Sequence, residues 1–397
     1  MFNTASSPTS SSSRASTGSP ATVGDVISVM EAAYPPYLAE SWDAVGLVCG
    51  DPTENVKHVA FALDCTDAVA ERAIAENADM LIVHHPLLMR GVTTVAADTP
   101  KGRIVHRLIR HGVALFSAHT NADSARPGVN DCLAELLGVT PGEPLRPIEE
   151  ALDKWGVTVP ASDANSLKDA VFHAGAGTVG DYTEAAFEFD VTGQFRPTAA
   201  ADPHIGSAGE LERVEEIRVE FVAQRRVREK VRGALLKAHP YEEPAYDVVE
   251  THSGTADVGI GRVGELDTPM TLREFAERVS ERLPHTVWGV RAAGDPESMI
   301  RRVAVSSGAG DSFLDKVAGM DVDCFVTSDL RHHPVDEHVR AGGCAVIDTA
   351  HWASEFPWCG QAADVVRRGM EERGHTVTTT VLDIQTDPWT IHSQGKN

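Results

Sequence analysis

Three apolar segments of this sequence end in side chains that could bind metal ions. These side chains are His84 and His85 after residues 80–83, His119 and Asp123 after residues 113–117, and His351 and Glu355 after residues 344–348. In open α/β sheets, ligands bind at the edge formed by the carboxyl ends of the strands. Four imidazoles and two carboxylates at such an edge suit a metal centre better than any other chemistry.

The spacing within two of these groups is typical of a helix. His119 and Asp123 are four residues apart, as are His351 and Glu355. Residues four apart share one face if a helix begins at the histidine. The predicted metal ligands are His84, His85, Asp123, His351 and Glu355. For His119 two roles stay open, a metal ligand or a contact to a ligand or the substrate.

The type of ligand indicates the type of metal. Imidazole with carboxylate suits zinc, iron, manganese or cobalt, and is too rich in nitrogen for calcium or magnesium. A carboxylate can bridge two ions roughly 3.5–4 Å apart, and such pairs activate water for hydrolysis. We therefore expect two divalent ions per subunit and a metal-dependent hydrolase.

A second double histidine follows a matching apolar segment, residues 324–327. There Asp329 precedes His332 and His333. Asp329 and His332 could line the same cleft and move protons together with His119. Alternatively, they lie at the solvated start of a helix.

The charge composition of the sequence limits the classes of binding partner that it is compatible with. The 397 residues include 35 basic and 58 acidic side chains, and the formal net charge is -23. This balance argues against nucleic acid or an anionic membrane as the main partner, but it is compatible with a nucleotide. No apolar run approaches the roughly 20 residues of a membrane span. The six scattered cysteines favour free thiols in a reducing cytoplasm.

Strand and helix patterns alternate at both ends of the chain, which predicts an α/β fold. Residues 50–85 align without a gap on residues 294–329, so we infer two related α/β halves that form one metal-binding domain. The pattern between them is βαββαβ, the order of a ferredoxin-like α+β domain. The predicted divisions are a disordered Ser/Thr-rich tail at 1–21, the first half at 22–151, the insert at 152–253 and the second half at 254–397.

Two further kinds of motif occur in the sequence. Gly175 to Gly180 and Gly259 to Gly264 both read GxGxxG, but neither has the order of strand, glycines and helix that a dinucleotide site needs. The segment His239-Pro-Tyr-Glu-Glu-Pro244 is either a binding contact or a rigid turn set by its two prolines.

Six ordered motifs carry a resemblance to a known family. They are Trp42-Asp43-x2-Gly46-Leu47, the residues 81–86 (LIVHHP), His119-Thr-Asn-x-Asp123, His239-Pro-Tyr-Glu-Glu-Pro244, Gly259-x-Gly261-Arg-x-Gly264 and Asp348-Thr-x-His351-x3-Glu355. The sequence resembles the family called GTP cyclohydrolase 1 type 2 homolog, or NGG-one-interacting-factor-three-like, over nearly everything after about residue 22. One departure is Ser328-Asp329, where the family often carries a Gly-Glu pair.

The resemblance implies a dinuclear divalent-metal site on the same five ligands and a toroidal homohexamer with the metals facing an interior cavity. It implies that the insert is similar to the PII and CutA folds. The family name suggests hydrolytic opening of the guanine imidazole ring of GTP. The alternative is a non-catalytic metal-binding scaffold or regulatory ring, in which the insert senses a small molecule.

Overall fold

The computed structural model describes residues 20–149, 151–251 and 255–393. These residues form a mixed α/β structure with two compact units. The discontinuous unit comprises the chain up to Pro147 and from Asp257 onward, and the central unit spans Ile148–Ala256. Of the predicted tail, residues 1–19 lie outside the described residues. Ala21 is buried, and its carbonyl oxygen accepts a hydrogen bond from the Val56 N–H.

The helices of the described chain are mostly short. They are α1 (Val23–Ala33), α2 (Asp67–Ala75), α3 (Pro100–Arg110), α4 (Thr120–Ser124), α5 (Val129–Leu137), α6 (Ala164–His173), α7 (Arg228–Ala238), α8 (Leu272–Arg282), α9 (Leu314–Ala318), α10 (His332–Arg340), α11 (His351–Glu355) and α12 (Trp358–Glu372). Short 3-10 helices cover Pro36–Leu38, Arg225–Val227 and Asp311–Phe313. Every helix in these ranges is too short or too polar to cross a membrane.

The strands range from 3 to 13 residues. They are β1 (Gly46–Cys49), β2 (His58–Ala62), β3 (Met80–Val83), β4 (Ala114–Ser117), β5 (Val139–Pro141), β6 (Arg146–Glu149), β7 (Leu152–Pro160), β8 (Ala186–Phe195), β9 (Glu212–Gln224), β10 (Tyr246–Thr251), β11 (Thr255–Ile260), β12 (Arg262–Thr271), β13 (Arg291–Ala293), β14 (Met299–Ala309), β15 (Cys324–Ser328), β16 (Ala345–Thr349) and β17 (Thr378–Val381). Strands β6 and β11 pair as a two-stranded sheet.

The first large sheet of the discontinuous unit has the order β1-β4-β3-β2-β17. Its four strands from β4 to β17 are parallel, and β1 is antiparallel at one edge. Strand β3 is buried along its whole length, as expected for parallel strands covered on both faces. On one face its side chains join a core with buried residues of α2 and α3. The polar residues that follow β2, β3 and β4 therefore emerge at one edge of this sheet.

The second large sheet of the same unit has the order β13-β16-β15-β14-β12-β5. Strands β14, β15 and β16 are parallel, and β13, lying beside β16, is antiparallel. The segment β13-β16-β15-β14 thus repeats the order and directions of β1-β4-β3-β2. The short helices α4 and α11 follow the corresponding strands β4 and β16.

The central unit contains one antiparallel sheet, β10-β7-β9-β8. Its core is built on Trp155 of β7, which stacks on Phe221 and Tyr246 with ring centroids 6.0 and 6.2 Å apart. Buried residues of α6 and α7, such as Leu167 and Val231, complete this core. Burial of a residue as large as Trp155 is a major stabilising contribution, since truncation of a core tryptophan costs about 3–5 kcal/mol.

Two strands of this unit are much longer than the sequence suggested. The sequence pattern predicts strands only over residues 185–190 and 217–222, which correspond to parts of β8 and β9. In the structure β8 and β9 pair as far as Phe195 and Glu212. Backbone pairing between neighbouring strands can extend a ladder through polar residues because it does not depend on a buried face.

Candidate metal centre

Four histidines of the discontinuous unit converge at the carboxyl ends of its parallel strands. His84 and His85 follow β3, His119 follows β4, and His351 begins α11. The His84 ring lies 5.1 Å from the rings of His85 and His119, centroid to centroid. The His351 ring lies 5.2 Å from the ring of His85. The structure therefore brings together histidines that are up to 267 residues apart in sequence, the separation of positions 84 and 351.

The two carboxylates reach the same point from short helices. His119 is the N-cap residue of α4, which carries Asp123, and α11 runs from His351 to Glu355. Both spacings therefore form the helical turns that the sequence suggested. The Glu355 Oε2 atom lies 2.9 Å from Nε2 of His85 and 3.2 Å from Nε2 of His351.

The other oxygen of Glu355 lies near a different histidine. Glu355 Oε1 is 3.8 Å from Nε2 of His84, and Asp123 Oδ1 is 3.6 Å from the same nitrogen. Three groups of residues in the described chain have ligand atoms within 4.8 Å of one another, namely His84 with His85 and His119, His85 with His351 and Glu355, and His84 with Asp123 and Glu355. Glu355 belongs to two of these groups.

Each of the four imidazoles is held through its Nδ1 atom. The partners of Nδ1 are the Ala118 carbonyl oxygen for His84 at 2.8 Å, Asp64 for His85 at 2.7 Å, Asp43 for His119 at 2.9 Å and Asp329 for His351 at 2.7 Å. A carbonyl or carboxylate oxygen accepts the Nδ1 hydrogen, so the Nε2 lone pair is available to a metal whenever the ring is neutral. Histidines that bind metals are usually oriented in this way.

A buried atom without a partner indicates what the centre accommodates. Nε2 of His84 is buried and has no hydrogen-bond partner in the described structure. Glu355 Oε2 is also buried, and its close contacts lack hydrogen-bond geometry. Buried polar atoms are normally paired, and an unpaired one is costly. A cation on these atoms would satisfy both, so the residues present fit a metal ion.

Charge is concentrated at the centre. Burial lowers the pKa of His84 to about 3, which keeps its imidazole neutral. Burial also opposes protonation of His85, but Glu355 and Asp64 outweigh it and raise the pKa to about 10. The charge of Glu355 raises the pKa of His351 to about 11. Without metal, these two imidazolium groups neutralise the Glu355 carboxylate.

Asp123 differs from Glu355 in its surroundings. Burial, reinforced by the charge of Glu355, raises the pKa of Asp123 to about 7. Burial opposes the ionisation of Glu355 as well, but His351 and His85 hold the pKa of Glu355 well below its usual range. The two carboxylates therefore differ in their readiness to carry a proton near neutral pH.

Asp329 and His332, which the sequence grouped together, have different surroundings in the structure. Asp329 has a positive φ of 59°, and its side chain holds Nδ1 of His351. His332 is exposed at the start of α10, with its ring 5.1 Å from that of His333. None of the three candidate ligand groups among the described residues includes His332. Of these two residues, the structure thus brings only Asp329 into contact with the histidine cluster.

Several residues around the centre were missed by reasoning from sequence. Asp64 is the second residue after β2, as His85 is the second residue after β3, and this position could have signalled its role. Asp43 belongs to the Trp42-Asp43 motif and also accepts a hydrogen bond from the Thr120 N–H at 3.0 Å. Gly308 gave no signal in the sequence, although it lies directly against Glu355.

A cavity of about 270 Å³ adjoins the centre. His85 and His351 line it on the side of the cluster, and Trp288 and Trp389 line it elsewhere. The two indole rings lie 5.6 Å apart at an interplanar angle of 38°. The centre thus opens into a space that presents aromatic surface.

Comparison with known proteins agrees with this fold. The profile of the Duf34/NIF3 family (NGG1p interacting factor 3) matches residues 21–388. A protein of Mycobacterium tuberculosis called "GTP cyclohydrolase 1 type 2 homolog" is 53% identical over 94% of this chain and 98% of the relative. A protein of the same name from Bacillus subtilis is 36% identical over 92% of this chain and 97% of the relative. A crystal structure of a Bacillus cereus protein related to NIF3 matches with a TM-score of 0.79, at 33% identity over 94% of this chain and 100% of the other.

These matches define a mixed α/β protein of the NIF3 class. The chain belongs to the Duf34/NIF3 family. The family resemblance inferred from six motifs is thereby confirmed.

Proposed function

We propose that this protein is a dinuclear metal-dependent hydrolase. One ion would be held by His84, Asp123 and Glu355, and the other by His85, His351 and Glu355. The observation that carries this proposal is the position of Glu355, whose two oxygens lie near different histidines. A carboxylate in this position can bridge two ions. His119 lies next to both groups as a further ligand or as a contact to the substrate.

The donor set supports zinc, iron, manganese or cobalt over calcium and magnesium, because nitrogen donors predominate. When bound, a pair of such ions supplies Lewis acidity for hydrolysis. Asp64 and Asp329 orient His85 and His351 through Nδ1, so that each Nε2 is presented to the centre.

Proton transfer is assigned to the residues nearest the cavity and centre. His119, backed by Asp43 on Nδ1, is the first candidate for a proton carrier. Asp329 acts through His351 in this proposal. A role for His332 requires a substrate that extends from the centre to the start of α10.

The proposed substrate is a nucleotide, with GTP as the first compound to test. Relatives that are 53% identical carry the name "GTP cyclohydrolase 1 type 2 homolog", which suggests hydrolytic opening of the guanine imidazole ring. The indole rings of Trp288 and Trp389 beside the centre favour a planar ring system.

The proposal extends to architecture and assembly. The shared order of β1-β4-β3-β2 and β13-β16-β15-β14 supports two related halves. The order of β7, α6, β8, β9, α7 and β10 supports a ferredoxin-like, PII- or CutA-like insert between the predicted boundaries 152 and 253. We further propose a cytoplasmic, toroidal homohexamer, as the family resemblance implies.

The decisive experiment measures metal content per chain on protein purified without chelator or affinity nickel. About two transition-metal ions per chain are expected. The variant His351→Ala should lose metal and keep the oligomer, whereas His106→Ala, at an exposed site on α3, should lose neither. Two ions in His351→Ala, or none in the wild type after refilling, would overturn the ligand assignment.

Activity needs a separate readout. After cobalt substitution, GTP should change the visible spectrum of the metal and then be hydrolysed. An unchanged spectrum with full metal occupancy would favour the alternative, a metal-loaded scaffold or regulatory ring.

A further inference from the structure

The central unit contains a cavity of its own, with a volume of about 480 Å³. It is lined by the end of β8, the following segment up to Ile205, Glu216 of β9, and residues 241–243 after α7. Part of the motif His239-Pro-Tyr-Glu-Glu-Pro244 thus forms a wall of this cavity. The volume lies within the range of small-molecule sites in proteins, roughly 300–1,000 Å³.

Glu216 is an acidic side chain buried in the wall of this cavity. Its residue surface is 5% exposed, and its Oε1 atom accepts a hydrogen bond of 2.7 Å from the Tyr241 hydroxyl. Within the described parts of the chain, no ion pair involves Glu216. A buried carboxylate normally has a cationic partner, because an unpaired buried charge is costly.

Gly193 makes room for this carboxylate. A Cβ atom at Gly193 would lie 2.4 Å from Oε2 of Glu216, a distance that side chains essentially never adopt. The pairing of β8 with β9 places Gly193 beside Glu216, opposite Val214. The position of the carboxylate therefore depends on the absence of a side chain on the neighbouring strand.

His239 does not supply the missing positive charge. Its Nε2–H donates to the Thr158 carbonyl oxygen at 2.8 Å, and its Nδ1 accepts from the Tyr241 N–H at 3.0 Å. A ring that both donates and accepts in this way is a neutral imidazole. Arg196 also lines the cavity, but its guanidinium group donates to the Gly209 carbonyl oxygen.

Aromatic rings lie around the ring of Tyr241, whose hydroxyl group contacts Glu216. The Tyr241 ring lies 5.1 Å from His239, 6.0 Å from Phe195 and 6.2 Å from His204, measured between centroids. Aromatic faces next to a carboxylate are the usual recognition chemistry for ammonium and quaternary ammonium groups. A metal ion is a poorer match, because all candidate ligand groups found in the described residues lie at the centre of the discontinuous unit.

We propose that this cavity binds a small organic cation, with Glu216 as its counter-ion and the rings of Tyr241 and Phe195 as its apolar walls. The ligand class is an ammonium or guanidinium compound with apolar substituents. This site is separate in its residues from the proposed metal centre, so it adds a binding function that the hydrolase proposal does not contain.

The test uses the full-length protein and three probe cations, choline, benzylamine and methylguanidine. Each is compared by saturation-transfer NMR and calorimetry, and choline is also compared with its neutral isostere 3,3-dimethylbutan-1-ol. At least one of the three cations should bind saturably. If choline binds, its neutral isostere should bind at least about tenfold more weakly. Failure of all three cations to bind, or equal binding of choline and the isostere, would overturn the proposal.

Substitutions of Glu216 and Tyr241 test whether the cation binds in this cavity. Glu216→Gln should weaken binding of the cation at least about tenfold, whereas Glu215→Gln, on the same strand but exposed, should leave it unchanged. Tyr241→Leu should also weaken binding, and Tyr241→Phe, which keeps the ring, should retain most of it. Thermal unfolding checks that each variant folds. If Glu216→Gln fails to fold, the comparison of cation binding by Tyr241→Leu and Tyr241→Phe decides whether the cation binds at this site. Undiminished binding in folded Glu216→Gln, or in Tyr241→Leu, would contradict the assignment.

Discussion

Gly308 lies against the carboxylate of Glu355, so close that a Cβ atom at Gly308 would lie 2.3 Å from Oε1. The same atom would be 3.2 Å from Nε2 of His351. Gly308 also has a positive φ of 60°, a conformation that glycine adopts without strain. The backbone of β14 thus shapes one side of the proposed metal centre.

The substitution Gly308→Ala should therefore disturb the centre. We expect the added methyl group to displace Glu355 and to lower metal affinity by at least about tenfold, comparable with the loss of a group that orients a ligand. The measurement is metal content after dialysis against a graded series of chelator concentrations.

The control for this prediction is Gly112→Ala. Gly112 has a similar φ of 66°, but a Cβ atom there meets nothing within 4 Å. Both variants carry the backbone strain of alanine at positive φ, about 1–2 kcal/mol. Equal metal affinity in the two variants would show that crowding of Glu355 has no effect.

The carboxylates behind the histidines should tune metal affinity without abolishing it. We predict that Asp64→Asn and Asp329→Asn each weaken binding by about 10–100-fold, because the neutral amide orients Nδ1 less strongly. Asparagine tolerates the positive φ of Asp329, so the backbone should be preserved. Titration with a competing chelator measures the effect, and exposed Asp315→Asn is the control. Unchanged affinity in both variants would argue against this role.

Much of this centre could be predicted from the sequence because its signals are local. The sequence predicts a strand over residues 80–83 and helices over 23–33, 129–137 and 272–282, because each has a clear apolar pattern. Strand β3 and helices α1, α5 and α8 have these bounds. Two rules then located the histidines and acids. Residues after parallel strands meet at one edge, and residues four apart share a helix face.

The remaining features depend on contacts between distant parts of the chain. Strands β13 and β17 have three and four residues, and their pairing partners rather than their own sequences define them. Strand β12 was not predicted, because glycine and proline within residues 262–271 interrupt the strand pattern. Asp64 was missed as the partner of His85 Nδ1 because the two residues are brought together only by the pairing of β2 with β3.

Arg262 explains the motif Gly259-x-Gly261-Arg-x-Gly264 in structural terms. Its side chain is fully buried and forms two hydrogen bonds to Asp131, at 2.8 and 2.7 Å. It also donates to the carbonyl oxygens of Gly259, Gly261 and Ala125. Since Ala125 ends the helix that carries Asp123, Arg262 helps to fix a proposed metal ligand.

Replacement of this arginine should destabilise the protein strongly. Arg262→Met leaves the buried Asp131 without its hydrogen-bonded cation, since Arg126 Nε lies 4.0 Å from its Oδ1 atom, and we expect a loss of about 3–5 kcal/mol in the free energy of unfolding. Arg301→Met removes an exposed pair with Glu265 and should cost less than about 1 kcal/mol. Denaturant unfolding of both variants measures the difference. Equal stability would mean that the buried pair contributes little.

Metal binding should release protons, because His85 and His351 must lose theirs to bind a metal. Their pKa values are raised to about 10 and about 11, so both carry a proton at neutral pH in the metal-free protein. Calorimetry in buffers of different ionisation enthalpy should give about two protons released near pH 8. Below about pH 7 the number should rise toward three, since the pKa of Asp123 is raised to about 7.

The sign of the pH dependence follows from this proton count. Metal affinity should increase as pH rises toward about 10, because protons compete less effectively for the ligand atoms as their concentration falls, and it should fall most steeply below about pH 7, where a third proton must be displaced. Stability of the metal-free protein should change in the opposite sense. Histidines with raised pKa values stabilise the fold fully below their ordinary pKa of 6.5, and this contribution is lost as pH rises through about 10 and 11. Metal binding without proton release between pH 6 and pH 8 would contradict the assignment of His85 and His351 as ligands.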